Sequence, residues 1–266
     1  MVFYKTLIYE LKKNKRKKFL DKQVFFKNNI DEKFVFFPLH VEPERSINIA
    51  APNFSNQIEI IEEISKSLPD KCKLYVKEHP VMIQRGWRPI NDYKKIMSLP
   101  NVRLIHPSFR TEDFIKKSSL VIQIGGTPAL EAAFYNKPSI VFADVDYAGI
   151  SSVYKISSLG EISTAINNML NVKVKISEVN EYINLVNSNS FEFDLVRLSR
   201  EFDRIFRLNG FLMDTKISIP KMQKFLDDYK EEFNKFAYNV VNSMRWDMTN
   251  FFEKLKHIKK MNDGKI

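Results

Sequence analysis

The sequence predicts an α/β protein: a Rossmann-like parallel sheet of five or six strands, preceded by a basic helix and followed by a helical tail. Three observations carry this expectation. From Lys33 onward, short apolar runs alternate with amphipathic segments, the rhythm of βα units. The stretch "TPALEAAFYN" opens with Thr127 and Pro128, a helix-start pair directly after an apolar run. Beyond residue 157 the strand signal stops and helical periodicity takes over.

Taken in order, "KFVFF" (33–37), "KLYVK" (73–77), "VRLI" (102–105), "LVIQI" (120–124) and "SIVFA" (139–143) read as strands, with "VYKI" (153–156) as a short edge. Between them, "QIEIIEEISKSL" (57–68) places Ile58, Ile61, Ile64 and Leu68 on one helical stripe. "NDYKKIMSL" and "TEDFIKKS" are shorter helices. In "TPALEAAFYN", Thr127 is the expected N-cap and Pro128 the first helical residue. Ser158 and Glu161 stand at capping-box spacing where the helical tail begins. The expected division is 1–32 as basic helix and connector, 33–172 as the Rossmann-like domain, and 173–266 as a helical extension. In that extension Phe225, Tyr229, Phe233 and Phe236 form a stripe that should pack on the domain.

Composition narrows the function classes. With 266 residues, 44% of them hydrophobic, the chain can bury a large core. No apolar run approaches the roughly 20 residues of a membrane span, and the amino terminus lacks the apolar stretch of a signal peptide. The single cysteine, Cys72, forbids an internal disulfide and offers no thiol cluster for zinc, so a reducing cytoplasmic setting is expected. Residues 1–33 hold ten Lys/Arg against four Asp/Glu, which is +6 of the net +10. The run "KKNKRKK", Lys12 to Lys18, is either a solvated helix face or a contact for an anionic membrane surface. Without an aromatic-rich RNA-binding pattern or zinc-finger spacing, the charge does not point to nucleic acid.

Three loops follow three of the expected strands, and a Rossmann-like sheet brings strand ends together at one edge. The first is "FPLHVEPE", where His40 and Glu42 project from a proline-stiffened loop. The second is "KEHP": Pro80 stops the strand, leaving Lys77, Glu78 and His79 at its end. The third is "QIGGTPALEAA". Gly125 and Gly126, two of seven glycines, allow close backbone approach, and the helix beyond aims free N–H groups at the same place. Together these suit a phosphate. His79 would donate a hydrogen bond to a phosphate oxygen and Lys77 would add a point charge. Gly125, Gly126 and Thr127 would form the helix-start anion site, and Glu131, one turn in, could reach a ribose hydroxyl. His40 and Glu42 are assigned to the sugar or the reacting centre, with Glu42 as the candidate base. Tyr147, in "DVDYAG", would stack on a base or cover the site. His40, His79, His106 and His257 lack i, i+4 partners, so no metal site is expected; Asp144 and Asp146 are a weak alternative for a metal–diphosphate. No serine-hydrolase elbow is present.

The succession "FPLHVEPE", "NQIEIIEEISKSLP", "LYVKEHP", "LPNVRLI" and "GGTPALEAAFYNKPSIVF" resembles the capsule and surface polysaccharide biosynthesis proteins over residues 33–157. These are similar to GT-B glycosyltransferases in their nucleotide-binding half. The His79–Pro80 pair also looks like the one with which bacterial sialyltransferases and teichoic-acid polymerases hold a nucleotide phosphate. The resemblance implies a nucleotide-sugar donor as substrate, with CMP-Kdo or a related CMP-sugar as the suggested type, no separate cofactor, and a glycan acceptor. The family's third motif usually reads GTxGxEA; here it is GGTPALEAA, which keeps Thr127 and alters its surroundings. A GT-B enzyme uses two Rossmann-like halves, so an acceptor domain or a capsule assembly complex is the expected partner, and the lone chain should bind nucleotide but turn over poorly. A CDP-polyol phosphotransferase-like enzyme and a non-catalytic scaffold of capsule assembly are the rival readings. The expected location is the cytoplasm, at the inner face of the cell membrane if the basic helix engages lipid.

Overall fold

The computed structural model describes residues 2–23, 32–208 and 215–244. It forms two compact units, one running through Asn180 and the other beginning at Glu181. The boundary falls inside a helix, Ile176–Ser188.

In the first unit, helix α1 (Val2–Gln23) precedes β1 (Phe34–Pro38), a short turn of helix α2 (Arg45–Asn48) and α3 (Gln57–Ser67). Then follow β2 (Lys73–Lys77), α4 (Ile90–Ser98), β3 (Val102–Ile105), α5 (Thr111–Lys117), β4 (Leu120–Gln123) and α6 (Thr127–Phe134). The unit closes with β5 (Ser139–Val141), β6 (Val153–Lys155), α7 (Ile162–Met169) and the first part of α8 (Ile176–Ser188). The six strands form one parallel sheet in the order β3-β2-β1-β4-β5-β6. This is the Rossmann order, with its topological switch between β1 and β4.

Strand periodicity sorts the apolar residues between two faces. Val35, Phe37, Leu74, Val76, Leu120 and Ile122 join Ile60, Ile61 and Ile64 of α3, Tyr93 and Ile96 of α4, and Ile166 of α7 in one core. Phe34, Phe36, Tyr75 and Val121 face the other way, against Phe114 and Ile115 of α5 and Ala132 of α6. All five residues of β1 are buried. That burial explains why the strand reads as an unbroken apolar run. Its last residue, Pro38, pairs with Lys77, and the Leu39 N–H then donates to the Lys77 carbonyl at 2.9 Å. The loops after β1 and β2 therefore leave the sheet side by side.

The second unit is helical in its described part: the end of α8, then α9 (Leu195–Phe206), α10 (Ile219–Asp228) and α11 (Lys230–Met244). Phe225, Tyr229 and Phe233 pack with Leu198, Phe202 and Phe206 of α9, and Phe236 meets Phe191 and Phe193. The aromatic stripe is thus a packing surface, and within its own unit the side chains it meets are those of α9 and of the segment just before it. The part of the expected tail beyond residue 244, with His257, lies outside the described residues.

Phe36 is fully buried and stacks on Phe114 with ring centroids 5.6 Å apart. Phe36→Ala should lower unfolding free energy by about 3–5 kcal/mol in urea titrations, through lost burial and the cavity left at the sheet centre.

Candidate functional site

A cavity of about 500 Å³ opens beside the switch point, at the carboxyl ends of β1, β2 and β4. Its walls include His40 and Glu44 from the first loop and Lys77, Glu78 and His79 from the second. Gln123, Gly125, Gly126, Thr127 and Glu131 complete it from the third. The three loops singled out from sequence thus converge on one space. Of the residues expected at the site, Glu42 and Tyr147 do not line it.

The third wall depends on two glycines. Gly126 is the residue before α6 and has φ +143°, a conformation that L side chains rarely adopt. A Cβ on Gly125 would fall 2.8 Å from the Ala143 Cβ. Gly126 rather than Thr127 is therefore the N-cap, and Thr127 and Pro128 are the first two helical residues. Pro128 forfeits nothing there, because N–H groups of the first turn have no intrahelical acceptor. Gln123 Oε1 accepts from the Ala129 N–H at 3.2 Å, and the Tyr147 hydroxyl donates to the Gly126 carbonyl. Tyr147 is accordingly buried as a strut beneath the helix entrance instead of standing free to stack on a base. Thr127 Oγ1 donates to Glu131 Oε1 at 2.7 Å, so these two cavity residues form a pair.

On the first loop, His40 is buried and its Nε2 accepts from the Gly125 N–H at 3.3 Å. In the neutral ring that leaves the proton on Nδ1, which faces Glu44 Oε2 at 3.5 Å. His40 thus ties the β1 loop to the glycine turn. Burial pushes its pKa below the ordinary imidazole value, with Glu44 opposing.

The second loop brings a histidine and a lysine to the cavity. His79 caps the short 3-10 turn Pro80–Ile83: its Nδ1 accepts from the Val81 N–H at 3.2 Å. Nε2–H is then the donor a neutral His79 can offer a ligand. Burial lowers its pKa as well. Lys77 is 1% exposed, yet among the described residues its Nζ meets only the carbonyls of Pro107 at 3.4 Å and Glu78 at 3.5 Å. Burial pulls its pKa down to about 8. Lys77 lines the cavity, and its ammonium is desolvated and, among the described residues, held only by these two long contacts.

These loops are held by a side chain absent from the sequence reading. Arg88 is buried, with Nε 2.8 Å from Glu78 Oε2 and Nη1 2.6 Å from Glu42 Oε2, while Nη2 donates to the His40 carbonyl. Glu78 is fully buried and also accepts from the Tyr93 hydroxyl at 2.8 Å and the His79 N–H at 2.7 Å. Burial pushes its carboxyl pKa up, against the pull of Arg88 and these donors. Glu42 is consequently turned to Arg88 and to Gln57 Nε2, away from the cavity. The carboxylates that do line the cavity near His40 and Thr127 are Glu44 and Glu131. Asp144 pairs with Lys155, and among the described residues no group of three His, Cys, Asp or Glu is placed to hold a metal ion.

Of the residues the sequence reading missed, Gln123 left a signal: it is a lone polar residue in an apolar strand. Arg88 left none, since it stands in the irregular stretch "QRGWRP" before α4.

A Rossmann-type α/β domain with a polar cavity at its switch point is the class these observations define. Residues 2–155, more than half of the chain, match the family described as capsule polysaccharide biosynthesis protein, and the chain belongs to that family. No curated protein matches the sequence. Among solved structures it is similar to the beta Kdo 2,7 transferase KpsC of Thermosulfurimonas dismutans, with 19% identity and TM-score 0.40 over 65% of this chain and 52% of that one. It is also similar to the UDP-GlcNAc 2-epimerase of Methanocaldococcus jannaschii, with 20% identity and TM-score 0.44 over 63% and 45%. The UDP-GlcNAc 2-epimerase of Neisseria meningitidis bound to UDP-GlcNAc gives 18% identity and TM-score 0.40 over 66% and 50%. The chain spans about half the length of these structures.

Arg88→Met should cost about 3–5 kcal/mol in urea unfolding, because it strands the buried Glu78 carboxylate. Adding Glu78→Gln should restore part of that loss, a coupling that a double-mutant cycle measures directly.

Proposed function

We propose that the cavity binds the phosphate of a nucleotide-activated sugar, and that the chain is the donor-binding part of a glycosyltransferase acting on a capsular or surface polysaccharide. The observation that carries this reading is Lys77: a buried ammonium with, among the described residues, only two long carbonyl contacts, on a residue that lines the same cavity as His79 and the α6 entrance. An anion there would complete the lysine's coordination and meet the positive end of a helix dipole. Family membership supports the polysaccharide context.

In this reading Lys77, the His79 Nε2–H and the backbone N–H groups around Gly126 and Thr127 receive the phosphate. They would stabilise charge as it develops on the leaving phosphate, a fixed arrangement that needs no rearrangement during the reaction. Glu131, which accepts from Thr127, would take a ribose hydroxyl. Glu44 replaces Glu42 as the carboxylate available to the sugar side, and His40 acts by holding the β1 loop against Gly125. The donor is proposed to be a CMP-sugar, and the acceptor glycan to be presented by a partner domain. The reaction is assigned to the cytoplasmic side of the membrane; among the described residues no helix is long and apolar enough to cross one.

Thermal-shift and calorimetric titration of the chain with CMP, CDP-glycerol and UDP-GlcNAc test the proposal. CMP should stabilise the fold most, and His79→Ala or Gly126→Ala should weaken it at least tenfold. Preference for CDP-glycerol would move the chain to the polyol-phosphate class. Indifference to every nucleotide would leave a scaffold of capsule assembly.

The pH dependence has a definite sign. A bound anion favours the charged lysine, and free Lys77 loses its proton above a pKa of about 8. Affinity should therefore fall as pH rises beyond that value, by up to about tenfold per unit. Lys77→Met should bind weakly at neutral pH and show no such decline.

A further inference from the structure

Helix α1 has two faces of different character. On one, Leu20 is fully buried in the main core and Phe19 packs beside it. Arg16 Nη1 donates to the carbonyls of Gly86 at 3.1 Å and Trp87 at 3.0 Å. The Tyr9 hydroxyl lies 2.8 Å from where a Cβ on Gly86 would fall, so that turn accepts the ring only because residue 86 is glycine. These contacts fix which side of α1 points away from the sheet.

The opposite stripe is Leu7, Leu11, Lys15, Lys18 and Lys22, at successive spacings of three and four residues. All five are exposed, Leu7 at 49% and Leu11 at 61%. Among the described residues Lys15, Lys18 and Lys22 have no carboxylate partner. Asp21 pairs instead with Lys17 at 2.6 Å and His106 at 3.2 Å, and Glu10 with Lys13 at 3.9 Å. Solvated lysines alone would need no explanation. Two leucines heading the same outward stripe do, and they separate this surface from one built for nucleic acid, whose contacts to phosphates are polar and charged.

We propose that this stripe lies on an anionic membrane surface, with Leu7 and Leu11 entering the boundary between headgroups and acyl chains. Lys15, Lys18 and Lys22 would meet anionic headgroups over the roughly 22 Å between Leu7 and Lys22. The docked face of α1 sets the orientation, so the sheet domain is carried on the far side of the helix from the lipid. The inference stands on α1 and is independent of the nucleotide reading.

Vesicle flotation of the full chain tests it, using phosphatidylcholine vesicles with and without phosphatidylglycerol at low and high salt. Binding should require phosphatidylglycerol and weaken with salt. The triple variant Lys15→Gln, Lys18→Gln, Lys22→Gln should partition roughly a hundredfold less well. Leu7→Ser with Leu11→Ser should lose roughly tenfold or more. Both variants should keep the wild-type circular dichroism and melting temperature, because the five side chains point outward. Equal binding to both vesicle types, no binding, or wild-type affinity in either variant would overturn the proposal. So would double-stranded DNA competing for the stripe more tightly than the vesicles.

Discussion

The guanidinium of Arg88 is the constraint around which the cavity is arranged. Taking an arginine and a glutamate out of water costs several kcal/mol per ion unless every remaining donor and acceptor finds a partner. Here they do. Arg88 engages Glu78, Glu42 and the His40 carbonyl, and Glu78 also takes the Tyr93 hydroxyl and the His79 N–H. Such a network contributes specificity of position more than raw stability. One planar group fixes the loop after β1 relative to the loop after β2, and so sets where His40 and His79 stand.

The third wall is fixed differently. Among the described residues no charge is buried at the α6 entrance; instead the backbone itself is constrained, with Gly126 at φ +143° and Gly125 pressed toward Ala143. Gln123 and Tyr147 brace this turn from below, and His40 joins it to the first loop through the Gly125 N–H. The result is a polar space that is electrostatically unfinished. Burial depresses the pKa of Lys77, His40 and His79 together. A phosphate would reverse that tendency for whichever groups it touched, which ties ligand binding to proton uptake.

Much of this was legible in the sequence, and the reasons are physical. Strands buried on both faces are apolar at most positions, so "KFVFF", "KLYVK" and "LVIQI" announced themselves, and all six expected strands are present within a residue or two. The convergence of three loops followed from the parallel order of the strands. What local sequence could not convey was where loop side chains turn. Glu42 looked like a site carboxylate because it sits two residues from His40, yet Arg88, forty-six positions away in the chain, claims it. Thr127 looked like an N-cap by residue type, but the cap position requires a backbone angle that glycine supplies. Tyr147 looked available because it sits in a loop; its hydroxyl is spent on Gly126. The aromatic stripe of α10 and α11 was legible as a packing face, whereas its partner, α9, was not.

A crystal structure of the chain with bound CMP tests the central claim most directly. The account places the phosphate between Lys77 Nζ, the His79 Nε2–H and the N–H groups at Gly126 and Thr127, within hydrogen-bond distance of each, with the Arg88 clamp unchanged. Phosphate density elsewhere on the domain, or a His79 ring turned away from the anion while Lys77 keeps only its carbonyl contacts, would contradict it.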